Sequence, residues 1–317
     1  MMDNKRKIVI LTLISLAMTL AFVFWGLGPT NWRFFIQTRL PKVAAIAITG
    51  AAIGYSSLLF QTVSNNRILT PSVLGLDSLY MLLQTFVIFT FGSTSRVAVD
   101  RNLNFFITVI LMVLFSTLLF KLLLQRESGN IMKLLLVGII MGTLFSSLSS
   151  FMQMVIDPNE FMHVQDRMFA SFNRVNTDIL IVAMVITIGA LSLTLKDTAL
   201  WDVLTLGRDN AINLGVDYDR TIRRMLFTVS LLVSVSTALV GPITFLGMLV
   251  VNLAREMLNT FRHRELITGS ILLGILFLVG GQLMVERVLN FSTPISVIIN
   301  FVGGIYFIKL LLKESVG

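Results

Sequence analysis

The feature that most constrains this chain is a series of apolar segments, each long enough to cross a lipid bilayer. Hydrophobic residues make up 55% of the 317 residues, charged residues only 13%, and the mean hydropathy is +0.86. A soluble domain has too little interior to bury so much apolar surface, so we predict an all-α polytopic membrane protein. Because one span needs about 20 apolar residues, the chain divides into about ten transmembrane helices. The predicted spans are 8–28, 43–63, 74–92, 104–124, 134–156, 177–195, 224–241, 243–260, 266–285 and 294–312.

The basic residues predict the orientation of these spans. If the N-terminus is cytoplasmic, 17 of the 25 Lys and Arg residues fall on the cytoplasmic side and 8 on the outer side. Cytoplasmic loops carry such an excess of positive charge, so we expect both termini in the cytoplasm. The net charge of +8 is then explained by anchoring at the inner leaflet rather than by binding of nucleic acid. Segment 8–28 is too long for a cleaved signal peptide and is predicted to be a retained span.

Several kinds of chemistry are excluded by what the sequence lacks. It has no cysteine, and its two histidines, His163 and His263, have no second ligand at metal-binding spacing, so no bound metal or cofactor is expected. It contains neither a P-loop nor a promising Ser/His/Asp arrangement, and no enzymatic activity is expected. Asp77 is predicted at the inner end of the third span and Glu286 at the outer end of the ninth. Because no acid is then expected near the middle of the membrane, the pattern argues against an ion-coupled carrier.

A polar stretch, 204–216, lies within the predicted cytoplasmic segment 196–223 and is predicted to form a short helix. Read as one helix, it places four residues on one stripe: Leu204, Gly207, Ala211 and Leu214. Gly215 follows where a left-handed C-cap is expected. A short helix with small residues on one face is typical of a docking element for a soluble partner. A surface connector with incidental amphipathicity is the alternative.

A set of motifs, in order along the chain, resembles the signature of the FecCD-type permeases. They are Arg39-Leu40-Pro41-Lys42, Gly50, Gln61, 66–75, 206–216, 241–247, Ala254-Arg255 and 294–307. FecCD-type permeases are the membrane subunits of type II ABC importers for iron–siderophores, haem and vitamin B12. The resemblance implies a type II ABC importer permease fold in the bacterial cytoplasmic membrane. It also implies that 1–317 is a single transmembrane permease domain, without a soluble or nucleotide-binding domain.

Two departures from the family pattern indicate which branch of the family the chain resembles. Arg67 stands where the family has a proline after the asparagine, and Val251-Asn252 stands where it has proline-histidine. These substitutions resemble the branch that serves catecholate-type siderophores, including petrobactin-like ones. The missing proline leaves open how the eighth span ends.

The resemblance also implies three functional regions. The segment that couples to the ATPase would contain Leu206, Gly207, Arg208, Ala211, Leu214 and Gly215. Docking of a binding protein would use Arg39, Lys42 and Arg287, for which snorkelling toward lipid headgroups is the alternative. The cytoplasmic gate would contain Asn66, Ile68, Ile131 and Met132, although Asn66 and Ile68 also fit a simple capped turn.

The implied partners follow from the same resemblance. They are two ABC ATPase subunits that use ATP and Mg²⁺, a second permease that is identical or related, an extracytoplasmic substrate-binding lipoprotein, and a ferric siderophore. Cobalamin or haem as the cargo stays open, and an ion-coupled secondary carrier and a pore-less membrane scaffold are alternatives from other classes.

Small residues in the fifth predicted span fit either tight helix packing or a pore wall, and both interpretations stay open. They are Gly138, Gly142, Ser146, Ser147, Ser149 and Ser150.

Overall fold

A computed structural model describes residues 3–26, 32–126, 131–173 and 175–314, and no β-strand occurs in these ranges. The helices are α1 Asn4–Phe24, α2 Trp32–Ser64, α3 Leu76–Phe91, α4 Arg96–Val99, α5 Arg101–Arg126, α6 Ile131–Val155, α7 Pro158–Met168, α8 Thr177–Thr194, α9 Thr198–Leu204, α10 Arg208–Asn213, α11 Tyr218–Val240, α12 Leu246–Leu258, α13 His263–Arg287 and α14 Ile295–Glu314. Short 3₁₀ helices cover Pro71–Leu74 and Leu195–Asp197.

Eight of these helical segments are long and apolar enough to cross a membrane, and they correspond to eight of the ten predicted spans. The other two predicted spans correspond to α3, with 16 residues, and α12, with 13. At 1.5 Å per residue both are shorter than a bilayer core of about 30 Å. The all-helical membrane fold is therefore confirmed, whereas the count of ten stays a prediction.

Contacts at the two ends of the bundle agree with the predicted sides. Asn4 donates a hydrogen bond to Glu265 at 2.8 Å, and both residues are predicted to be cytoplasmic. Lys42 and Glu286, both predicted at the outer side, form an ion pair at 2.9 Å. We name the end of the bundle with Asn4 and Glu265 the inner pole and the end with Lys42 and Glu286 the outer pole, and the side of the membrane that each faces stays a prediction.

The predicted break between the seventh and eighth spans is present. α11 ends at Val240, and Gly241 has a φ of 101°, which a residue with a side chain rarely adopts. A Cβ on Gly241 would also lie 3.0 Å from the Cα of Ala170. At its other end α12 stops without proline, because Asn259 adopts a left-handed conformation and donates its N–H to the carbonyl of Arg255.

The segment between α2 and α3 corrects the expected depth of Asp77. Gly75 packs against Gly142, where a Cβ on Gly75 would lie 2.5 Å from the Gly142 Cα. Gly142 is near the middle of the 25-residue α6, so α3 begins deep in the bundle. Asp77 therefore lies near mid-depth, and the prediction that no acid occurs there was wrong.

Candidate functional site

At the inner pole, the stretch 204–216 forms a turn and a short helix rather than one continuous helix. α9 ends before Gly207, whose φ of 92° cannot continue an α-helix, and α10 then begins. Gly215 has a φ of 84°, and the N–H of Val216 donates to the carbonyl of Ala211 at 3.0 Å. This bond and the one from Gly215 to Ile212 form a Schellman motif, so the predicted left-handed C-cap is confirmed.

The predicted stripe on this segment is wrong, because its members do not share a surface. Leu204 and Ala211 are buried in the chain itself, at 5% and 0% exposure, and Ala211 cannot contact a partner protein. An added Cβ at Gly207 or Gly215 would meet nothing within 4 Å, so both glycines face open space. The exposed apolar residues of the segment, which we name the α10 apolar face, are Leu206, Ile212 and Leu214.

Arg208 connects α10 to the start of α11. Its guanidinium lies 3.8 Å from the carboxylate of Asp219 and 5.7 Å from the ring centre of Tyr218. Both contacts are within the chain and partly exposed, so each contributes only modestly to the stability of the fold. They orient α10 relative to a membrane-spanning helix.

α9 is anchored to two other helices by a buried cluster. Trp201, 1% exposed, makes edge-to-face contacts with Tyr55 of α2 and His263 of α13, at centroid distances of 5.8 and 6.0 Å. The Asp202 carboxylate accepts hydrogen bonds from the backbone N–H of His263 at 2.8 Å and from its ring Nδ1 at 2.6 Å. The other ring nitrogen, Nε2, lies 2.7 Å from the hydroxyl of Thr62. We name Asp202, His263 and Thr62 the inner relay.

The inner relay was not predicted from the sequence, because its three residues form no local motif. Asp202 and His263 are 61 positions apart, and His263 is 201 positions from Thr62. The absence of a second ligand had excluded His263 only as a metal ligand. The sequence pattern that could have indicated the relay is an acid and a histidine at the ends of two predicted helices.

The relay reaches the end of α2, where the predicted gate loop begins. In this loop the Asn66 side chain accepts a hydrogen bond from the N–H of Ile68 at 2.9 Å, which is an Asx turn. The capped-turn alternative is therefore present in the structure. Asn252 of α12 donates to the carbonyl of Arg67 at 2.9 Å, so a residue that replaces the family's histidine holds this loop.

The other two predicted gate residues, Ile131 and Met132, form the first turn of α6. Their side chains lie outside the described part of the structure. Among the described side chains, no contact between this loop and the start of α6 tests the gate. The gate therefore stays a prediction.

α6 has two different faces in its middle and outer half. Gly138 and Gly142 face inward, where a Cβ would lie 2.9 Å from Leu74 and 3.0 Å from Gly75. The exposed flank of α6 carries four hydroxyl groups among exposed apolar side chains, on Thr143, Ser146, Ser147 and Ser150. Polar groups that point out of a membrane span normally face water or another protein chain rather than lipid. Tight helix packing is thus present at the two glycines, and the pore wall stays a prediction.

At the outer pole, Arg39 serves the fold of this chain. Its side chain is 4% exposed, and Nη1 donates hydrogen bonds to three carbonyls at the end of α1. The acceptors are Phe22, Val23 and Trp25, at 3.1, 2.7 and 2.8 Å. Arg39 therefore caps a helix C-terminus, and its predicted contact with a binding protein is wrong because the guanidinium is buried.

Lys42 and Arg287 both lie beside the C-terminal end of α13. Lys42 is paired with Glu286, and only 19% of its side chain is exposed. Arg287 donates to the carbonyl of Trp25 at 3.0 Å and remains exposed. Docking of a binding protein at this pole stays a prediction, with Arg287 the more accessible cation.

The order of motifs, the all-helical fold and the two poles can now be compared with known proteins. A model of the FecCD transport family matches residues 8–313 of the 317. The chain belongs to this family. Together with its apolar helices, this membership makes it a multi-pass protein of the cell membrane.

Two curated FecCD relatives are similar over almost their whole length. The petrobactin import system permease protein YclO of Bacillus subtilis is 57% identical over 99% of each chain. The petrobactin import system permease protein FatC of Bacillus anthracis is 33% identical, covering 97% of this chain and 88% of the relative. Among solved structures, a chain of a metal-chelate type ABC transporter in an inward-facing conformation matches with a TM-score of 0.82. The match covers 98% of this chain and 100% of the other at 22% identity, and it supports the type II ABC importer permease fold.

We expect Arg39→Met to destabilise this FecCD permease. The substitution keeps the apolar volume but removes the donor for three carbonyls, and unmet buried groups cost about 1–3 kcal/mol each. The expected result is a lower melting temperature of the detergent-purified protein. Arg33→Met is the matched control, because Arg33 is exposed and its change should leave the melting temperature nearly unaltered. Equal melting temperatures for both variants would contradict the capping role.

Proposed function

We propose that this chain is the permease subunit of an ABC importer that moves a ferric siderophore of the petrobactin or another catecholate type into the cytoplasm. The observation that carries the proposal is the 57% identity, over 99% of both chains, to a petrobactin import permease. Relatives named for hemin and vitamin B12 are only 26% and 27% identical. Haem or cobalamin is therefore the less favoured cargo.

The chain would perform no chemistry itself. Two ATPase subunits would bind at the inner pole and hydrolyse ATP with Mg²⁺, and the α10 apolar face is the surface that supports this contact. Exposed Leu206, Ile212 and Leu214 can insert into an apolar groove, while Gly207 and Gly215 allow close approach of the backbone. Coupling is thus assigned to the exposed leucines and isoleucine instead of Ala211.

The inner relay gives the docked segment a route to the gate. α10 follows α9 directly, and Asp202 of α9 is bound to His263, which in turn contacts Thr62 one turn before the gate loop. A movement of α9 would therefore act on the ends of α2 and α13 together. Coupling between sites requires such contiguous contacts or a shared two-state element.

A second permease would complete the pathway. The exposed hydroxyl groups of α6 support this, because they lie on a membrane-spanning helix where contact with lipid alone is unfavourable. Bacillus anthracis has two petrobactin import permeases that both resemble this chain, FatC and FatD, which favours a heterodimer over a homodimer. A substrate-binding lipoprotein would dock at the outer pole near Arg287, where charges mainly guide encounter and orientation.

Uptake of radiolabelled iron complexes in a deletion strain tests the proposal. We expect loss of uptake of ferric petrobactin or another ferric catecholate, restored by the gene on a plasmid, with haem and cobalamin uptake unchanged. Uptake should stop when the partner ATPase is inactivated. Loss of haem or cobalamin uptake with normal catecholate uptake would contradict the assigned cargo.

A further inference from the structure

A small polar cavity lies inside the bundle beside Asp77, walled by parts of α2, α3, α11 and α12. Its volume is about 20 Å³, which is enough for one water molecule or one dehydrated ion. Seven hydroxyl side chains belong to its lining: Ser56, Ser57, Thr70, Ser72, Ser236, Thr237 and Thr244. A cavity of this size admits no organic ligand, so its occupant is a single small species.

Three of these hydroxyl groups have no hydrogen-bond partner in the part of the chain that the structure describes. They belong to Ser57, Thr70 and Thr237, which are 2%, 6% and 4% exposed. Buried polar groups in folded proteins are nearly always paired. Three unpaired hydroxyls around one cavity therefore indicate an occupant that contacts them.

The carboxylate of Asp77 gives the cavity a negative charge. Its Oδ2 accepts a hydrogen bond from the hydroxyl of Thr244 at 3.1 Å, and the hydroxyl of Ser72 is also hydrogen-bonded to the carboxylate. Within the described ranges, no Lys, Arg or His lies within ion-pair distance of it. The N-terminus of α3 offsets only about half an elementary charge. A water molecule would pair the free hydroxyls and leave the remaining charge in place, whereas a cation would satisfy both.

Two breaks in the membrane helices meet at the same cavity. One is the segment 65–75 between α2 and α3, and the other is the segment 241–245 between α11 and α12. Backbone carbonyls in such breaks lack their helical partners, and unwound segments inside membrane proteins supply carbonyl oxygens to sodium ions. The two breaks can therefore add neutral oxygen ligands to those of the side chains.

We propose that this cavity binds one sodium ion, with the Asp77 carboxylate as its charged ligand. The three unpaired hydroxyl oxygens, on Ser57, Thr70 and Thr237, are its neutral ligands. One carboxylate balances one positive charge, so a monovalent ion leaves the site neutral and a divalent ion does not. Mg²⁺ also keeps several of its waters, for which the cavity has no room. The ion ties the two helix breaks together, a role that goes beyond the proposed function and does not depend on the cargo.

The melting temperature of the full chain, purified in detergent without sodium, tests the site. We expect sodium chloride to raise it by about 4 °C relative to N-methylglucamine chloride at equal ionic strength, with sodium in large excess over its dissociation constant. Asp77→Asn keeps the shape of the side chain and removes its charge, so this rise should disappear. Thr237→Val removes one ligand, and the same rise should then need about 10-fold more sodium.

Asp178→Asn is the matched control, because Asp178 is also an acid in the first turn of a helix but is exposed at the outer pole. It should keep the parental rise. Equal melting temperatures of the parent in the two salts, a comparison that needs no variant to fold, overturn the proposal in favour of a water molecule or a proton. A rise with calcium and none with sodium overturns it in favour of a divalent ion. An undiminished rise in Asp77→Asn overturns it by placing the bound sodium elsewhere.

Discussion

Replacing Leu214 with aspartate is expected to abolish siderophore uptake while leaving the permease in the membrane. Leu214 is 63% exposed in the chain, so the change removes little internal contact. At an interface with the ATPase the same side chain would be buried, which contributes about 1.5–3 kcal/mol for a leucine, and a buried unpaired charge would add to the loss. Uptake should fall to less than about a tenth, since each ~1.4 kcal/mol is a factor of ten in binding.

The measurement is uptake in cells together with co-purification of the ATPase. Leu214→Met keeps the apolar volume and should retain most of both signals. Normal uptake and normal ATPase co-purification in Leu214→Asp would remove the α10 apolar face from the docking surface. A protein that fails to reach the membrane would show that Leu214 has a folding role, contrary to its exposure.

Replacing Asp202 with alanine is expected to uncouple ATP hydrolysis from uptake. The carboxylate is the acceptor for two N–H groups of His263, whose side chain is 1% exposed. Without it, buried donors remain unmet at about 1–3 kcal/mol each, and α9 loses its hydrogen bonds to α13 while the contact of Trp201 with His263 remains. We expect the ratio of chelate imported to ATP hydrolysed to fall about 10-fold, while the complex still assembles.

The decisive readout is that ratio in reconstituted vesicles, because a purely structural role would lower the amount of complex and leave the ratio unchanged. Asp202→Asn retains an acceptor oxygen and should recover part of the coupling. Asp209→Ala, an exposed acid in the same segment, should behave as the parent does. A parental ratio in Asp202→Ala would show that the inner relay does not transmit movement.

Local features of the chain were predicted well. The apolar segments, the break at Gly241 and the left-handed cap at Gly215 all depend on neighbouring residues, either through length in the bilayer or through backbone freedom. The order of FecCD-like motifs similarly indicated the family, because such motifs are read along the chain. These predictions required no knowledge of which helices touch.

Side-chain roles were predicted less well, because exposure is not a local property. Arg39 was expected at a docking surface, yet α1 folds over it and supplies three carbonyl acceptors. Ala211 was expected to meet the ATPase, but the turn at Gly207 rotates α10 and buries it. A cation or a small residue has the same sequence signature whether it faces a partner or its own chain.

Membrane class, helical composition and family membership thus followed from the order and polarity of residues, since each reflects transfer of contiguous segments into lipid or an ordered set of motifs. The depth of Asp77, the burial of Arg39 and the relay of Asp202, His263 and Thr62 came only from the folded chain. Each of these depends on contacts between segments that are far apart in sequence. Packing of helices against one another determines such contacts, and no periodicity along the chain encodes them.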